Sequence, residues 1–440
     1  MKNPVFFALL VLVHMSTASA SEKTLKSREI ITTSDSKGDC YDDDSEFQIL
    51  KSGWKLKLGG YMRLDVIYAS GSVYHLDSPA YVPSEDKGSN TGWSVRATRF
   101  HAKVIAPTFS GMKSFGYYEM DFYGNLPASS TSIRQPQPRM RRAFFQMEKG
   151  NFTFTAGNEW MVAAPAMAST LEPFNLWTSG NIWMRYPQLI LRYNIPATDK
   201  FRIEMAASAG QPLGADNPTN TRFRQTGAGE AALFPIFQAR TGAGFKIGNN
   251  AWSSVGISGS YQRLDFSAHN SLSSDATLVA ELIANDEDIQ ESYFGAVDAT
   301  VFFNIGKFKM KLSLEASYGK AIAPFNGGIL ENFYVDTTDT ARITGVRSLG
   351  YFGDLKISTP WKFDLMGGLG RAENNPEDLL EENGSSKGKT SNTTAYGAFS
   401  YRKGPVLFAL GFTWMKTSYL DNNFTEGTAY LIHGVTSFHF

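Results

Sequence analysis

Charge recurs at every second position in three stretches of this chain: Arg99, His101 and Lys103; Glu119 and Asp121; Arg139 and Arg141. Side chains two apart share one face of a strand, so each stretch would present a one-sided row of charge. Arg192, Arg202 and Arg240 stand in similar surroundings, as do Lys309, Lys311, Glu204, Asp298, Glu315 and Asp364. Such rows attract or repel ions; they do not break bonds. Nucleophilic catalysis needs a nucleophile, a base and an orienting acid together. His75, His101, His269, His433 and His439 lie in no such motif. The single cysteine, Cys40, has acidic neighbours and belongs to no Cys/His cluster that could hold zinc. The glycine-rich runs at 210–214 and 367–370 open no helix of a nucleotide-binding unit. The expectation is a non-enzyme without cofactor or metal. Formal net charge is zero, and no basic patch on a loop suggests nucleic acid as a partner.

The elements that carry these rows must be strands. In Phe308-Lys309-Met310-Lys311-Leu312-Ser313-Leu314-Glu315-Ala316-Ser317-Tyr318, apolar and polar residues alternate without a break. Val406, Phe408, Leu410, Phe412 and Trp414 form a second apolar face, opposite the smaller Leu407, Ala409, Gly411 and Thr413. The rhythm continues from Trp54 to Phe440 and divides into sixteen candidate strands. These lie near 54–69, 92–106, 112–123, 137–147, 151–158, 185–195, 200–209, 235–247, 251–265, 291–305, 308–319, 341–358, 361–371, 391–402, 405–417 and 427–440. Tight connections at 107–111, 148–150, 196–199, 248–250, 306–307, 360 and 403–404 contrast with long ones at 70–91, 211–234, 267–290, 320–340 and 372–390. Short turns on one side and long loops on the other mark a membrane barrel.

Export fits this reading. Lys2, the apolar run 5–13 and the small residues 16–20 make residues 1–20 a signal peptide with cleavage after Ala20. Residues 21–52 are polar and Asp-rich, and read as a flexible periplasmic lead-in to a barrel over 53–440. The expected fold is all-β: a transmembrane antiparallel barrel of sixteen strands with short periplasmic turns and long extracellular loops. In lipid a sheet must close on itself to satisfy its backbone, and sixteen strands leave an aqueous lumen. Trp54, Trp93, Trp252, Trp361 and Trp414, with Tyr61, Tyr68 and Tyr261, lie near strand ends and would form interfacial girdles.

Apolar faces must meet lipid, which turns the charged rows inward. Arg99, His101, Lys103, Glu119, Asp121, Arg139, Arg141, Arg192, Arg202 and Arg240 are therefore the expected pore-lining residues. On the fourth strand Ala143 is expected inward, with Met140 and Phe144 outward. Arg142 then falls on the lipid side, where arginine costs ~2–4 kcal/mol at mid-depth. A bulge, a subunit contact or a shallower depth must relieve it. Basic side chains in the lumen and acidic ones in outer loops (Asp286, Glu287, Asp288, Glu377, Asp378, Glu381, Glu382) favour anions. The competing expectation is a mixed, mutually neutralised wall. One loop, 159–184, is too apolar for water: Met161, Val162, Met167, Leu171, Phe174, Leu176 and Trp177 predict an inward fold that narrows the pore opposite Arg99, Arg139 and Arg141. A place between subunits is its alternative.

Two stretches resemble the DcaP-like porin family, and more distantly the phosphate-selective porins O and P. The first is Thr98-Arg99-Phe100-His101-Ala102-Lys103-Val104-Ile105-Ala106-Pro107-Thr108, followed by Tyr118-Glu119-Met120-Asp121-Phe122-Tyr123-Gly124. The second is Arg139-Met140-Arg141-Arg142-Ala143-Phe144, followed by Thr155-Ala156-Gly157-Asn158-Glu159-Trp160; Leu58-Gly59-Gly60-Tyr61 fits the family's first strand. The resemblance implies a homotrimer of sixteen-stranded barrels that passes small, often anionic organic molecules. The chain departs from those members that carry an N-terminal coiled coil, since 21–52 lacks heptads. Further expected partners are membrane lipids, lipopolysaccharide and, through the C-terminal strand ending at Phe440, the outer-membrane assembly machinery. A surface adhesin with a closed lumen is the alternative function.

Overall fold

The computed structural model describes residues 46–47, 53–83, 88–124, 136–172, 176–214, 228–248, 250–266, 280, 283–286, 288–336, 342–379, 388–420 and 426–440. The signal peptide, the lead-in apart from Glu46–Phe47, Cys40, Phe174, His269, Glu287, Glu381 and Glu382 lie outside the described residues.

Among the described residues sixteen antiparallel strands form one closed wall. In chain order they are β1 (Lys55–Ala69), β2 in two pieces (Asn90–Ser94 and Arg99–Ile105), β3 (Lys113–Gly124), β4 (Gln137–Lys149), β5 (Phe152–Trp160), β6 (Arg185–Thr198), β7 (Phe201–Gly210) and β8 (Ile236–Phe245). They continue with β9 (Ser253–Asp265), β10 (Ile289–Ile305), β11 (Phe308–Lys320), β12 (Arg347–Ser358), β13 (Phe363–Asn374), β14 (Lys389–Lys403), β15 (Val406–Tyr419) and β16 (Glu426–His439). Each pairs with the next, and β16 returns to β1 from Tyr61↔His439 to Ala69↔Leu431. No sheet edge remains along the shared length, as hydrocarbon surroundings require. Below that length, Lys57 and Leu56 pair with Glu46 and Phe47.

Alternation does the sorting. Along β16 burial switches at nearly every residue, with Tyr430, Ile432 and Phe438 outward and Leu431, His433 and Val435 inward. Tight turns join strands at one end; Gly306 and Gly404 take left-handed φ there, which glycine adopts without a Cβ penalty.

Three departures from simple alternation matter. First, β2 is broken between Ser94 and Arg99, where one continuous strand was expected. The Thr98 hydroxyl takes up the gap: it accepts from the Arg63 amide (3.0 Å) and donates to the Arg63 carbonyl (3.3 Å). Second, the 341–358 stretch divides. Arg342–Gly345 pairs with Phe333–Asp336 in a loop hairpin, and the wall strand begins only at Arg347. Third, the pairing of β3 with β4 slips from Glu119↔Arg142 to Met120↔Met140, leaving Arg141 as an extra residue. This β-bulge reverses the parity of everything after it.

The aromatic girdle is smaller than expected. Trp54, Tyr68, Trp93 and Trp361 are exposed on the outer wall, but Tyr61 is buried on the inner face. Trp252 packs under the Arg202 guanidinium, 4.1 Å from its ring centroid.

Candidate channel interior

The inner wall of β3 offers two carboxylates, Glu119 and Asp121, both buried. The bulge brings all of Arg139, Arg141 and Arg142 of β4 to the inner side, while Met140 between them faces outward. Arg139 grips Asp121 with two bonds (3.0 and 2.7 Å). Arg141 joins both acids, through Nε to Glu119 (2.6 Å) and one terminal nitrogen to Asp121 (2.8 Å). Arg142 reaches Glu159 on β5 with two bonds of 2.9 and 2.6 Å. Arg99 lies 3.9 Å from Glu119. Four arginines thus share three carboxylates, an excess of positive charge on one wall.

The bulge therefore relieves Arg142 of the lipid side. It also corrects two expectations: Ala143 pairs with the outward Tyr118, whereas Phe144 turns inward beside Tyr117, ring centroids 5.5 Å apart. An unpaired carbonyl is the usual penalty of such a bulge, and here Asn158 on β5 donates its side-chain amide to the Arg141 carbonyl at 2.7 Å.

The other expected residues also occupy the inner face. His101 stacks on Tyr117 (5.9 Å, 23°) and sits opposite Glu119. The Lys103 ammonium lies 3.9 Å from the Phe115 ring centroid. Arg202 and Arg240 belong to a separate cluster further round: Arg202 bonds Glu204 (2.9 and 2.7 Å), and Arg240 bonds Asp298 (3.0 and 2.6 Å) and Glu204 (3.3 Å). Two arginines face two acids, so this side is neutral. Arg192 stands between Thr153 and Ala206 on the inner face. The ten residues fall into two groups, with Arg192 between them.

The described parts of the apolar loop, 161–172 and 176–184, enter the lumen and are fastened to the wall on the side of β8, β9, β11 and β14. Gln238 Oε1 on β8 accepts from the amides of Val162 (2.9 Å) and Ala163 (3.2 Å), and Ser258 on β9 from Ala164 (3.0 Å). Glu315 on β11 accepts from the Ile182 amide and the Asn181 side chain, both at 3.2 Å. Ser179 meets Thr394 on β14 at 2.7 Å. Met161, Met167, Ile182 and Trp183 build a buried cluster with Tyr186, Ile236 and Phe294.

Sequence reasoning overlooked two more inward loops. In loop 70–89, Ala80 and Val82 are buried, and the Ala80 carbonyl accepts from Thr178 and, at 2.8 Å, from Asn392. In loop 321–346, Phe325 and Ile329 are buried, the Trp183 amide donates to the Phe325 carbonyl (2.9 Å), and Asn326 donates to the Trp183 carbonyl (2.8 Å). The signal was present: Ile322, Phe325, Ile329 and Leu330 are as apolar a set as that of loop 161–184. Arg63, Asp65, Glu172 and Arg185 were also missed. The Arg185 guanidinium lies 4.6 Å from the Trp160 ring centroid and 5.6 Å from that of Trp183.

No protein-family model matches the chain, and no curated relative does. Solved structures do. The outer membrane channel DcaP of Acinetobacter baumannii is similar over 89% of this chain and 99% of its own, at 15% identity and a TM-score of 0.64. Salmonella typhi OmpF, in complex with daunomycin, covers 90% of this chain with all of its own at 11% identity and a TM-score of 0.52. A trimer form of OmpT, an outer membrane protein of Vibrio cholerae, covers 88% with all of its own at 11% identity and a TM-score of 0.51. At these identities the likeness is one of fold: this chain has the closed sixteen-stranded architecture of outer-membrane channels. The DcaP likeness agrees with the resemblance carried by the motifs at 98–124 and 139–160.

Proposed function

We propose that this chain is a porin of a bacterial outer membrane, a water-filled channel for small hydrophilic solutes with a mild preference for small organic anions. One observation carries the anion preference: Arg99, Arg139, Arg141 and Arg142 outnumber Glu119, Asp121 and Glu159 on one inner wall, and Arg139 keeps a third of its side chain exposed there. Fixed cations beside a narrow water path raise the local concentration of anions and lower their entry barrier. Loop 161–184 then acts as the constriction. Residues 1–20 direct export, and the barrel works as a homotrimer, a reading supported by the trimeric form of the Vibrio cholerae neighbour.

Reversal potentials in planar bilayers under a salt gradient test the proposal. Wild type is expected to favour anions, and the triple change of Arg99, Arg139 and Arg141 to Ala to shift selectivity toward cations, because Glu119 and Asp121 remain. Unchanged selectivity would refute the anion preference. Absence of conductance would favour a closed-lumen surface protein, in which the three interlocked loops plug the barrel.

A further inference from the structure

The middle of loop 161–184 meets a charged group that the selectivity argument does not use. His433 on β16 places Nε2 2.6 Å from Asp65 Oδ1 on β1, and Nδ1 3.8 Å from Glu172 Oε1 on the loop. Glu172 also accepts from Thr413 on β15 at 2.8 Å. Arg63 binds Asp65 through Nε (3.0 Å to each oxygen) and a terminal nitrogen (2.6 Å). The same terminal nitrogen donates to the Leu171 carbonyl at 2.6 Å. The His433 and Asp65 side chains are 3% and 2% exposed, so water does little to screen them.

We propose that Arg63, Asp65, Glu172 and His433 form a clamp that pins the loop across the lumen, with His433 as the positioning residue that sets the bore. The inference rests on the channel reading above. Its logic lies in the imidazole. Both ring nitrogens face carboxylate oxygens, an arrangement suited to the doubly protonated ring, which has two N–H donors and a positive charge. A neutral ring has one donor. It would satisfy Asp65 or Glu172 but not both, and the second carboxylate would confront the first with no cation between them. The loop would then be held at this point only by the Arg63–Leu171 and Thr413–Glu172 bonds and would loosen, while its start stays fixed by its amides' bonds to the Gln238 and Ser258 side chains.

The groups facing His433 are few. β1 contributes Arg63 and Asp65, and the loop contributes Glu172. β15 places Gly411 opposite and Thr413 nearby, neither of them titratable. Tyr123 of β3 and Tyr396 of β14 lie within electrostatic range of Asp65 and Glu172 respectively, but phenols ordinarily titrate near ~10. Through the imidazole range the clamp has one element that changes charge.

Single-channel conductance of the purified full-length protein, recorded from about pH 5 to about pH 9 to bracket the ordinary imidazole value of ~6.5, tests this. Wild-type conductance is expected to step upward as pH rises. His433→Asn, which has no proton charge to lose, should show the higher level throughout and no step. Glu172→Gln should lose the step as well; it alters the loop and leaves strand pairing intact, so it keeps the test decisive if His433→Asn folds poorly. His75→Asn, in another loop, should keep the step. A flat profile in the wild type, or a step that survives in both His433→Asn and Glu172→Gln, overturns the clamp. A wild type that conducts but is flat removes the clamp alone, whereas one that never conducts removes the channel reading with it.

Discussion

The two sides of the lumen solve one problem in opposite ways. On β2–β4 the wall keeps its charges as buried pairs, packed so that Arg139, Arg141 and Arg99 bracket Glu119 and Asp121, with Arg139 the most exposed of the five. On β8, β9, β14 and β15 the wall is covered by the loop and meets it with neutral groups: Gln238, Ser258, Thr394 and Thr413. Burying an ion costs several kcal/mol per group in real proteins, while a hydroxyl or amide loses little if its hydrogen bond is remade. A wall covered by a loop therefore does well to be polar but neutral, whereas buried charges such as those on β2–β4 must each be paired. Glu315 and Lys311 on β11 are exceptions on the covered side: two donors from the loop converge on Glu315, and the Lys311 ammonium donates to the Met167 carbonyl at 3.1 Å.

The largest effect should come from breaking the charged wall. Arg141→Ala removes the residue that bonds both acids and leaves Glu119 with the Tyr117 hydroxyl (3.0 Å) and, as cation, only the long contact to Arg99. Removing one partner of a buried pair costs about 3–5 kcal/mol, and the Arg141 and Glu119 side chains, 7% and 8% exposed, form such a pair. We expect a clear drop in the temperature at which the barrel loses its folded gel mobility. A variant as stable as wild type would mean that these pairs contribute nothing to the wall. On the covered side the sensitive point is steric. A Cβ on Gly370 of β13 would lie 2.0 Å from the Ser179 carbonyl oxygen. Gly370→Val should therefore expel loop 161–184 at a cost of about 1–3 kcal/mol, seen as new proteolytic cleavage within the loop. Cleavage like that of wild type would disprove this packing.

A smaller effect tests the bulge that separates the two designs. Asn158→Ala removes the donor to the Arg141 carbonyl and should cost about 1 kcal/mol, the net worth of a typical hydrogen bond. It should also loosen Arg141, so anion preference falls slightly without reversing. A stability loss with selectivity intact would mean that the bulge does not position Arg141.

Much of this was legible in the sequence because side-chain direction in a strand follows position alone. Arg99, His101, Lys103, Glu119 and Asp121 lie on the inner face that simple alternation assigns. Alternation fails where the backbone adds a residue, and no residue type announces the bulge at Arg141. The energetic misfit of Arg142 facing lipid did point to an irregularity, but not to its consequence for Ala143 and Phe144. The clamp was illegible for another reason. Glu172 and His433 are distant in sequence, and they meet only because β16 closes onto β1 while the loop crosses the lumen. The sequence places outer connections at 70–91 and 320–340, because their polar residues mask short apolar sets, around Ala80 and Phe325, that pack inward.

The outer end of the covered side offers the smallest and most local test. Asp378, in the loop after β13, accepts from Arg347 at the start of β12 through Nε and a terminal nitrogen, both at 2.7 Å. Burial alone would raise its carboxyl, but these bonds outweigh burial and hold it below the usual carboxylate range. A carboxylate depressed on folding contributes stability above its unfolded value of ~3.9 and loses it as pH falls through the folded one. The Arg347 side chain is 44% exposed, so salt weakens the pair and the effect stays within the loop. Amide protection factors at 375–379, in which the intrinsic pH dependence of exchange is divided out, should be constant down to about pH 4 and fall only below it. Asp378→Asn should exchange faster at neutral pH and lose the acid response, with loop 161–184 and the arginine wall untouched. If neutral-pH exchange in that variant matches wild type, the Arg347 contact does not order the loop, and the outer end of the covered side is held by its strands alone.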